Sequence, residues 1–463
     1  MTLNLGETRV RRACGDRDRD GNPAVFAPRW GIRPGRDSAP GPVRGGCVVA
    51  LVSLVLGVAA QGASPGWPRW RGATDQGSTE EGRYPAKLET AQAVWRTPLP
   101  GKGCSTPIVW RDRILLTAPV ERRDAVLSFD LEGREVWRTT FGTEDPGKHR
   151  NGSGCNPSAV ADGQGIYVSF KSGTLASVEL SGKIRWQTNL VEAYGKTSLY
   201  WDFGTSPVLA GGSVIVARMH EGESWLAAFD PSTGALRWKA ARNHKTPVEG
   251  DHGYSTPLVI QHQGREALLV WGGLHLSAHD PKDGAVLWDC GNFNPESKPN
   301  WPAVATPVVV GDIAVVPTGR ADRTDPRLHG IRLGGSGDVT ATHRVWKRDD
   351  VGAFVPTPAA AGGRVVVLRD RGEVESLEAS TGKTVWKDQL PRASANYYAS
   401  PLLASGRLVA AREDGKIFVA EAGDRFALLS ENDLGERVVA SPVAVGGRLL
   451  IRGERTLYCF AGE

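Results

Sequence analysis

Aromatic and polar side chains recur in the short segments that precede a series of small-residue–proline strands. Nine of them have the chemistry to contact a ligand: Trp201, Asp202, Asp251, His252, Tyr254, Trp301, Asn396, Tyr397 and Tyr398. A concave site lined by aromatic groups and a few polar groups is the usual form of a ligand or peptide site. We therefore predict that these residues bind a ligand. The alternative is that they cap a channel and satisfy the backbone groups of their own loops.

Catalytic chemistry finds little support in the residue spacing. His252 beside Asp251 has the types needed for acid–base work, but neighbours on a strand point to opposite faces, and no nucleophile is paired with them. The chain has no G-x-S-x-G elbow and no phosphate loop ending in GK[ST]. Its nine histidines show neither the H-x-H nor the H-E-x-x-H spacing of zinc sites. We predict no catalytic residue and no metal site.

The net charge of +5 does not indicate an anionic partner. Residues 1–44 hold nine Arg and five acidic residues, which leaves only +1 for the rest of the chain. A nucleic-acid-binding surface needs a clustered basic patch, so we predict no nucleic-acid partner.

The N-terminal region predicts export. The 14 residues Cys47–Ala60 are uncharged, too few to span a bilayer, which takes about 20, and typical of the apolar part of a signal peptide. We assign residues 1–42 to a disordered leader or an over-extended start, 43–63 to the signal peptide and 64–93 to an N-terminal extension. The alternative for the apolar run is a buried strand or helix. We predict a periplasmic or secreted protein without a transmembrane segment after cleavage.

A repeat supplies the elements that position the candidate residues. Eight copies of a small residue and proline open a short apolar strand, with prolines at Pro107, Pro157, Pro207, Pro257, Pro307, Pro358, Pro401 and Pro442. A second signature, a strand, a turn and a strand ending in tryptophan, alternates with the first, as in AAFDPSTGALRW to Trp238. In the seventh copy Leu429 stands where tryptophan is expected.

Each copy predicts four strands rich in Val, Leu and Ile, a four-stranded antiparallel meander. One such sheet cannot bury both faces alone, but stacked copies can, with the tryptophans as plugs between them. We predict an all-β, eight-bladed β-propeller with tryptophan-docking motifs over residues 94–463. Seven blades is the alternative if one shortened late repeat is degenerate.

The chain ends predict how the ring closes. The eighth copy ends at LYCFAGE without its tryptophan strand, and an unpaired strand with Trp95 precedes the first copy. We predict that this N-terminal strand completes the last blade, which leaves no open sheet edge.

These paired signatures resemble the PQQ-like propeller repeat family, which includes PQQ-dependent alcohol dehydrogenases and BamB-like propellers. The resemblance covers residues 67–463, and its opening WPRWRG is similar to the start of exported PQQ-like propellers. It implies that an enzyme of this family would stack the quinone against a disulfide of adjacent cysteines and hold Ca²⁺ with Glu, Asn and Asp. No adjacent cysteine pair exists here, and no local acidic cluster offers the oxygen ligands that calcium prefers.

The resemblance implies an exported, BamB-like binding or scaffold module without a cofactor, whose channel face binds a protein, peptide or envelope component and which is a monomer. The alternative is a quinoprotein dehydrogenase with PQQ and calcium in an atypical site. A third option, suggested by the aromatic loops, is a carbohydrate- or polymer-active propeller. Cys104 and Cys155 occupy similar places in successive repeats, which fits either a disulfide or two buried thiols.

Overall fold

The structure is a computed structural model that describes residues 66–462. The predictions for the leader, residues 1–42, and for the signal peptide, residues 43–63, lie outside these residues. The described chain forms eight antiparallel sheets that follow one another in sequence, and we number them as blades 1–8. No helix in this part of the chain is long and apolar enough to cross a membrane.

The strands of the first four blades have the following bounds: blade 1, Ile108–Trp110, Arg113–Val120, Arg123–Phe129 and Glu135–Thr143; blade 2, Val160–Ala161, Ile166–Ser169, Thr174–Val178 and Ile184–Asn189; blade 3, Val208–Ala210, Ser213–Arg218, Trp225–Phe229 and Leu236–Ala241; blade 4, Leu258–His262, Arg265–Gly272, His275–His279 and Val286–Cys290.

The remaining blades are bounded as follows: blade 5, Val308–Val310, Ile313–Arg320, Asp325–Arg332 and Arg344–Arg348; blade 6, Ala359–Ala361, Arg364–Leu368, Glu373–Glu378 and Thr384–Gln389; blade 7, Leu402–Ala404, Arg407–Ala411, Lys416–Ala422 and Phe426–Asp433; blade 8, Val443–Val445, Arg448–Arg452, Thr456–Ala461 and Trp95–Pro98. Two short strands, Ser78–Thr79 and Gly337–Asp338, pair in parallel with blades 7 and 4. The helical elements are Leu190–Tyr194, Thr90–Gln92 and Ala321–Arg323.

The predicted closure is confirmed. Trp95 pairs with Cys459 and Pro98 with Thr456, so the N-terminal strand is the fourth, outer strand of blade 8. Because the last sheet draws strands from both ends of the chain, the ring is an eight-bladed β-propeller, and the seven-bladed alternative is excluded.

The core lies between the blades. One cluster joins Leu115 and Val126 of blade 1 to Val168 and Ala176 of blade 2, all fully buried, and similar clusters follow around the ring. The inner strands are buried on both faces, which explains why they are almost continuously apolar rather than alternating.

In six of the eight blades, a tryptophan of the outer strand ties the blade to the next one. The indole Nε1 donates to a backbone oxygen in the turn between the third and fourth strands of the next blade, at 2.8–3.0 Å; the pairs are Trp95–Leu131, Trp137–Leu180, Trp186–Pro231, Trp238–Pro281, Trp346–Ala379 and Trp386–Gly423. An indole buries on the order of 200 Å², which at about 25 cal/mol per Å² is roughly 5 kcal/mol as an upper estimate.

Two blades depart from this docking. Trp288 of blade 4 is fully buried, but its Nε1 has no hydrogen-bond partner among the described residues, because the insertion with Gly337–Asp338 replaces the short turn of blade 5. In blade 7 the register opposite Val419 places Ser430, not Leu429, at the tryptophan position, and Leu429 is the extra residue of the bulge. The expectation for Leu429 was wrong by one residue.

The absence of a tryptophan in blade 7 has a structural cause. In blade 8 the third strand, Thr456–Ala461, and the fourth strand, Trp95–Pro98, come from separate parts of the chain, so no short turn joins them for a tryptophan to dock on. The N-terminal extension occupies the place instead: Ser430 Oγ donates to Ala86 O, and Leu88 N donates to Asn432 Oδ1 at 2.7 Å.

A ring of hydroxyl groups joins the eight inner strands. In each blade one Ser or Thr accepts a hydrogen bond from the backbone N–H of its counterpart in the preceding blade, at 2.9–3.3 Å. The donor–acceptor pairs are Thr106–Ser158, Ser158–Ser206, Ser206–Thr256, Thr256–Thr306, Thr306–Thr357, Thr357–Ser400, Ser400–Ser441 and Ser441–Thr106. The small residue of the repeat signature is the Ser or Thr that supplies this hydroxyl group.

Blade 2 is shifted relative to the sequence repeat. Val160 pairs with Tyr167 as Val208 pairs with Ile215 in blade 3, so Ser158 and Ala159 hold the hydroxyl and proline positions. Pro157 therefore precedes its expected place by two residues.

Candidate functional site

A cavity of about 520 Å³ occupies the channel at the centre of the ring. Its wall includes seven of the eight ring hydroxyls, all except that of Thr306. The connectors that enter each blade line its upper part, together with the turns between the second and third strands of blades 5 and 6. Both kinds of segment lie at the same end of an up-and-down sheet, so the fold gathers them on one face.

The start of the N-terminal extension crosses the channel at the inner strands. Trp67 pairs with Val109 of blade 1, while Gln76 O accepts from Ala360 N of blade 6 and Gly77 O from Leu403 N of blade 7. Opposite blade 1, Gln76 Nε2 donates to Val309 O of blade 5. Trp70, between these contacts, lines the cavity. The WPRWRG sequence is therefore a bar across the channel, which we call the floor segment (residues 66–79).

Arg71 anchors the floor segment. Its side chain is fully buried, and its Nη2 donates to Pro358 O at 3.0 Å and to Pro401 O at 2.8 Å. Burial lowers the pKa of Arg71 to about 9. Gly77 packs directly on the guanidinium with φ +65°, and a Cβ there would lie 1.8 Å from Nη2. Only glycine fits this position.

Five of the nine residues predicted from the sequence line the cavity: Trp201, Asp202, Tyr254, Asn396 and Tyr398. The other four do not. Trp301 and Tyr397 are buried, with Tyr397 Oη donating to Pro391 O, and His252 is buried in the connector to blade 4 beside the half-buried Asp251. That the five bind a ligand stays a prediction.

Aromatic groups form one side of the rim. Tyr200 and Trp201 are 60% and 40% exposed, and their rings meet edge to face at 4.8 Å. His149 contacts the Trp201 indole in the same way at 5.1 Å. Trp201 N donates to Tyr254 Oη at 2.9 Å, and burial raises the pKa of Tyr254. This hydrogen bond fixes the loop that presents the exposed rings.

A buried carboxylate holds two asparagines of the cavity wall. Glu413, 2% exposed, accepts from Asn151 Nδ2 at 2.7 Å, from Asn396 N at 3.1 Å and from Arg437 at 2.7 Å. Burial opposes its charge, but these hydrogen bonds hold the pKa of Glu413 below its ordinary value. Asn396 Nδ2 donates to Tyr398 Oη at 2.8 Å.

The asparagine oxygens are unused. Within residues 66–462, neither Asn151 Oδ1 nor Asn396 Oδ1 has a hydrogen-bond partner, although both atoms are buried. Buried acceptors are normally satisfied, and both residues line the cavity, so a rotation of either side chain is needed to present its oxygen to the N–H or O–H groups of a ligand.

The carboxylates of the cavity differ in their surroundings. Asp202 accepts from the backbone N–H groups of Lys148 and His149 and lies 3.1 Å from Lys171 Nζ. Among the described residues, the Asp370 carboxylate accepts from Phe354 N and Val355 N, each at 3.2 Å. Burial raises the pKa of Asp370 to about 7.

Asp370 and Glu413 were missed in the sequence because they lie in turns between second and third strands rather than in the connectors. A signal was present, since both occupy the same short turn, as DRG at Asp370 and EDG at Glu413, with the glycine at positive φ. The fold brings these turns to the rim beside the connectors.

The donors of the cavity do not fit the quinone and calcium that the family resemblance implies for its enzymes. In the described part of the chain, one group of three or more His, Cys, Asp or Glu residues has metal-ligand spacing, His244, His275 and Asp289, and none of these lines the cavity. Cys104 on the cavity wall and Cys155 behind it are free thiols rather than a disulfide.

Comparison with known proteins gives a consistent family. The sequence matches the family model described as outer membrane protein assembly factor BamB over residues 77–254, 196–343 and 275–461. It is 23% identical to the outer membrane protein assembly factor BamB of Yersinia pestis over 353 residues, 73% of this chain and 80% of that protein.

Solved structures share the fold. BamB from Moraxella catarrhalis has a TM-score of 0.58 at 16% identity and covers 80% of this chain and 99% of its own. Quinohemoprotein alcohol dehydrogenase from Comamonas testosteroni has a TM-score of 0.60 at 14% identity and covers 88% and 82%. At these identities the likeness extends to the propeller only.

Proposed function

Because this chain belongs to the family of the outer membrane protein assembly factor BamB, we propose that it is an exported, non-enzymatic binding and scaffold module of the cell envelope. In this proposal it is a periplasmic or secreted monomer. The name of the Yersinia pestis relative describes a factor that assembles outer membrane proteins, and an envelope role for this chain follows from that likeness.

The rim of the cavity carries the proposal. Tyr200 and Trp201 expose their rings at the rim, and Asn151 and Asn396 line the same cavity with unpaired, buried amide oxygens. Exposed aromatic faces beside polar groups suit an extended peptide, whose apolar side chains pack on the rings while its backbone N–H groups donate to the asparagine side chains once these rotate into the cavity. We take the ligand to be a protein segment presented at this face.

In this proposal the nine predicted residues have two roles. Trp201, Asp202, Tyr254, Asn396 and Tyr398 contact the segment, together with Asn151 and Asp370. The buried Trp301 and Tyr397, with Asp251 and His252, hold the connectors in place.

The absence of a quinone cofactor is part of the proposal. A PQQ site of the enzyme type needs clustered oxygen ligands for calcium, whereas Asp202 is held by Lys171 and by amides. Titration of the purified protein with PQQ and Ca²⁺ is expected to give neither saturable absorbance nor dye reduction with alcohols or sugars. Saturable binding together with dye reduction would replace the scaffold role by the dehydrogenase alternative.

Site-specific photocrosslinking in the native host tests the binding face. A benzoylphenylalanine at Tyr200 on the rim is expected to crosslink a discrete envelope protein. The same probe at Asp112, exposed in the turn between the first two strands of blade 1, lies at the opposite face and serves as the matched control. In a Trp201→Ala, Asn396→Ala background, the rim crosslink should weaken. Equal crosslinking from both positions, or none from the rim, would contradict the proposal.

A further inference from the structure

A second cluster of chemically active side chains lies away from the cavity. His244 stands in the connector from blade 3 to blade 4, His275 begins the third strand of blade 4, and Asp289 lies in its fourth strand. One ligand atom of each lies within 4.8 Å of the others. His275 Nδ1 and Asp289 Oδ1 are 2.6 Å apart, and the imidazoles of His244 and His275 stack at 3.9 Å with 13° between their planes.

Most of the coordinating atoms in this cluster are unoccupied. Across residues 66–462, the only hydrogen bond made by these three side chains joins His275 Nδ1 to Asp289 Oδ1. Both nitrogens of His244, Nε2 of His275 and Oδ2 of Asp289 therefore remain free to coordinate, and all three residues are half-buried. Two half-buried imidazoles thus face one carboxylate.

We propose that His244, His275 and Asp289 bind a divalent first-row transition-metal ion of the zinc type. Two imidazoles and one carboxylate are typical ligands of Zn²⁺, Co²⁺ and Ni²⁺, with water completing a four-coordinate shell. Binding replaces the His275–Asp289 hydrogen bond by two metal bonds and tilts the His244 ring out of the stack. Both changes are rotations of half-buried side chains.

The charges around the cluster are balanced. Arg242 is buried beside it, donates to the carbonyl oxygens of Gly272, Val270 and His275, and opposes a second cation, whereas the Asp289 carboxylate favours one. Asp338 of the blade 5 insertion pairs in register with Asp289 and adds a second negative charge on the same side.

The bound metal would join three separate segments. It fixes the connector that carries His244 to two strands of blade 4, and ten residues later the same connector places Tyr254 on the cavity wall. A ligand that binds only the folded state raises its stability, so the metal should stiffen this sector of the rim. The inference does not depend on the function proposed for the cavity.

Metal titration of untagged, chelator-treated protein tests the site. We expect one equivalent of Zn²⁺ to bind by calorimetry, Co²⁺ to give visible d–d bands, and Zn²⁺ to raise the midpoint of thermal unfolding. His244→Ala, His275→Ala and Asp289→Asn should each weaken binding by about 10- to 100-fold or more. His262→Ala, at the far end of the first strand of blade 4, is the matched control and should bind as the native protein does.

Two results would overturn the site: no saturable binding of Zn²⁺ or Co²⁺ to folded protein, or binding that all three substitutions leave unchanged. If His244→Ala does not fold, as judged by circular dichroism without metal, His244→Gln keeps the volume and removes the imidazole. The same loss of Co²⁺ bands is then expected.

Discussion

Ser441 N donates to Thr106 Oγ1 at 3.3 Å across 335 positions of sequence, and this contact completes the circle of eight hydroxyl hydrogen bonds. The outer strands close the ring once through Trp95 and Cys459, and the hydroxyls close it again at the channel. Because every hydroxyl in the circle accepts from one neighbour, the loss of one leaves a buried N–H unpaired in the preceding blade.

Thr306 offers the cleanest test of the hydroxyl circle, since it is buried but does not line the cavity. Thr306→Val removes the acceptor of Thr256 N and should lower the free energy of unfolding by about 1–3 kcal/mol. Thr306→Ser keeps the hydroxyl and should cost only the lost methyl group, about 0.8 kcal/mol. Urea unfolding of both variants measures the difference. Equal losses would mean that the hydrogen bond contributes nothing.

A second pair of variants tests how tightly the docked tryptophans pack on the next blade. Gly382 has φ +68° and lies under Trp346, where a Cβ would come within 2.7 Å of the indole. Gly362 has a similar φ of +55° but open space around it. In both alanine variants the left-handed backbone conformation should lower the free energy of unfolding by about 1–2 kcal/mol. Gly382→Ala should lower it by about 1–3 kcal/mol more, because the added methyl group overpacks the indole. If chemical denaturation gives the same loss of unfolding free energy for both variants, the indole moves aside without a measurable cost.

The architecture could be predicted from the sequence because its determinants are local and repeated. Nearly every copy repeats a hydroxyl and a proline at the inner strand, a glycine in the turn and a tryptophan in the outer strand. The eighth copy, which lacks its tryptophan strand, and the unpaired strand before the first copy together identify how the ring closes. Two details of this prediction were wrong, each where a copy of the repeat gains or loses residues relative to the others. Pro157 precedes the hydroxyl of Ser158 instead of following it, and the bulge in blade 7 moves Ser430 into the place expected for Leu429.

The site was predictable only in part, because it is assembled from two sets of loops. The connectors with Trp201, Tyr254 and Asn396 were visible as aromatic and polar breaks in an apolar repeat. Asp370 and Glu413 lie in ordinary-looking turns and become site residues only when the blades form a ring. The path of the floor segment depends on contacts more than 200 residues away, such as Gln76 with Val309, and no local pattern encodes them.

Asp370 makes stability depend on pH in a definite direction. Its folded pKa of about 7 lies above the unfolded value near 3.8, so its contribution is fully present below about pH 4 and is lost as the pH rises through 7. Between pH 6 and pH 8 this one group should remove about 1.4 kcal/mol from the free energy of unfolding. Asp370→Asn should reduce the difference between these two pH values by that amount.

A matched control is available in blade 1. Asp124 is also buried, with a pKa raised to about 7 by burial, but it does not line the cavity. Asp124→Asn should reduce the change in unfolding free energy between pH 6 and pH 8 without changing ligand binding at the rim. Unfolding curves at pH 6 and pH 8 that are unaffected by either substitution would contradict both assignments.

The floor segment can be tested through the glycine that packs on Arg71. In the native protein Arg71 is 1% exposed, so trypsin should not cleave after it while the ring is folded. Gly77→Ala places a methyl group where the guanidinium lies, which should expel Arg71, break its bonds to Pro358 and Pro401, and release the segment from the channel. Limited trypsinolysis followed by mass spectrometry should then find cleavage after Arg71, whereas Gly406→Ala, with φ +79° but open space, should remain protected.

Because residues 108–461 carry the blades and Trp95 closes them from beyond residue 79, the ring itself should keep its β-rich circular dichroism spectrum after this cleavage. Protection of Arg71 in the Gly77→Ala variant would mean that the segment is held by its pairing with the inner strands rather than by the buried guanidinium.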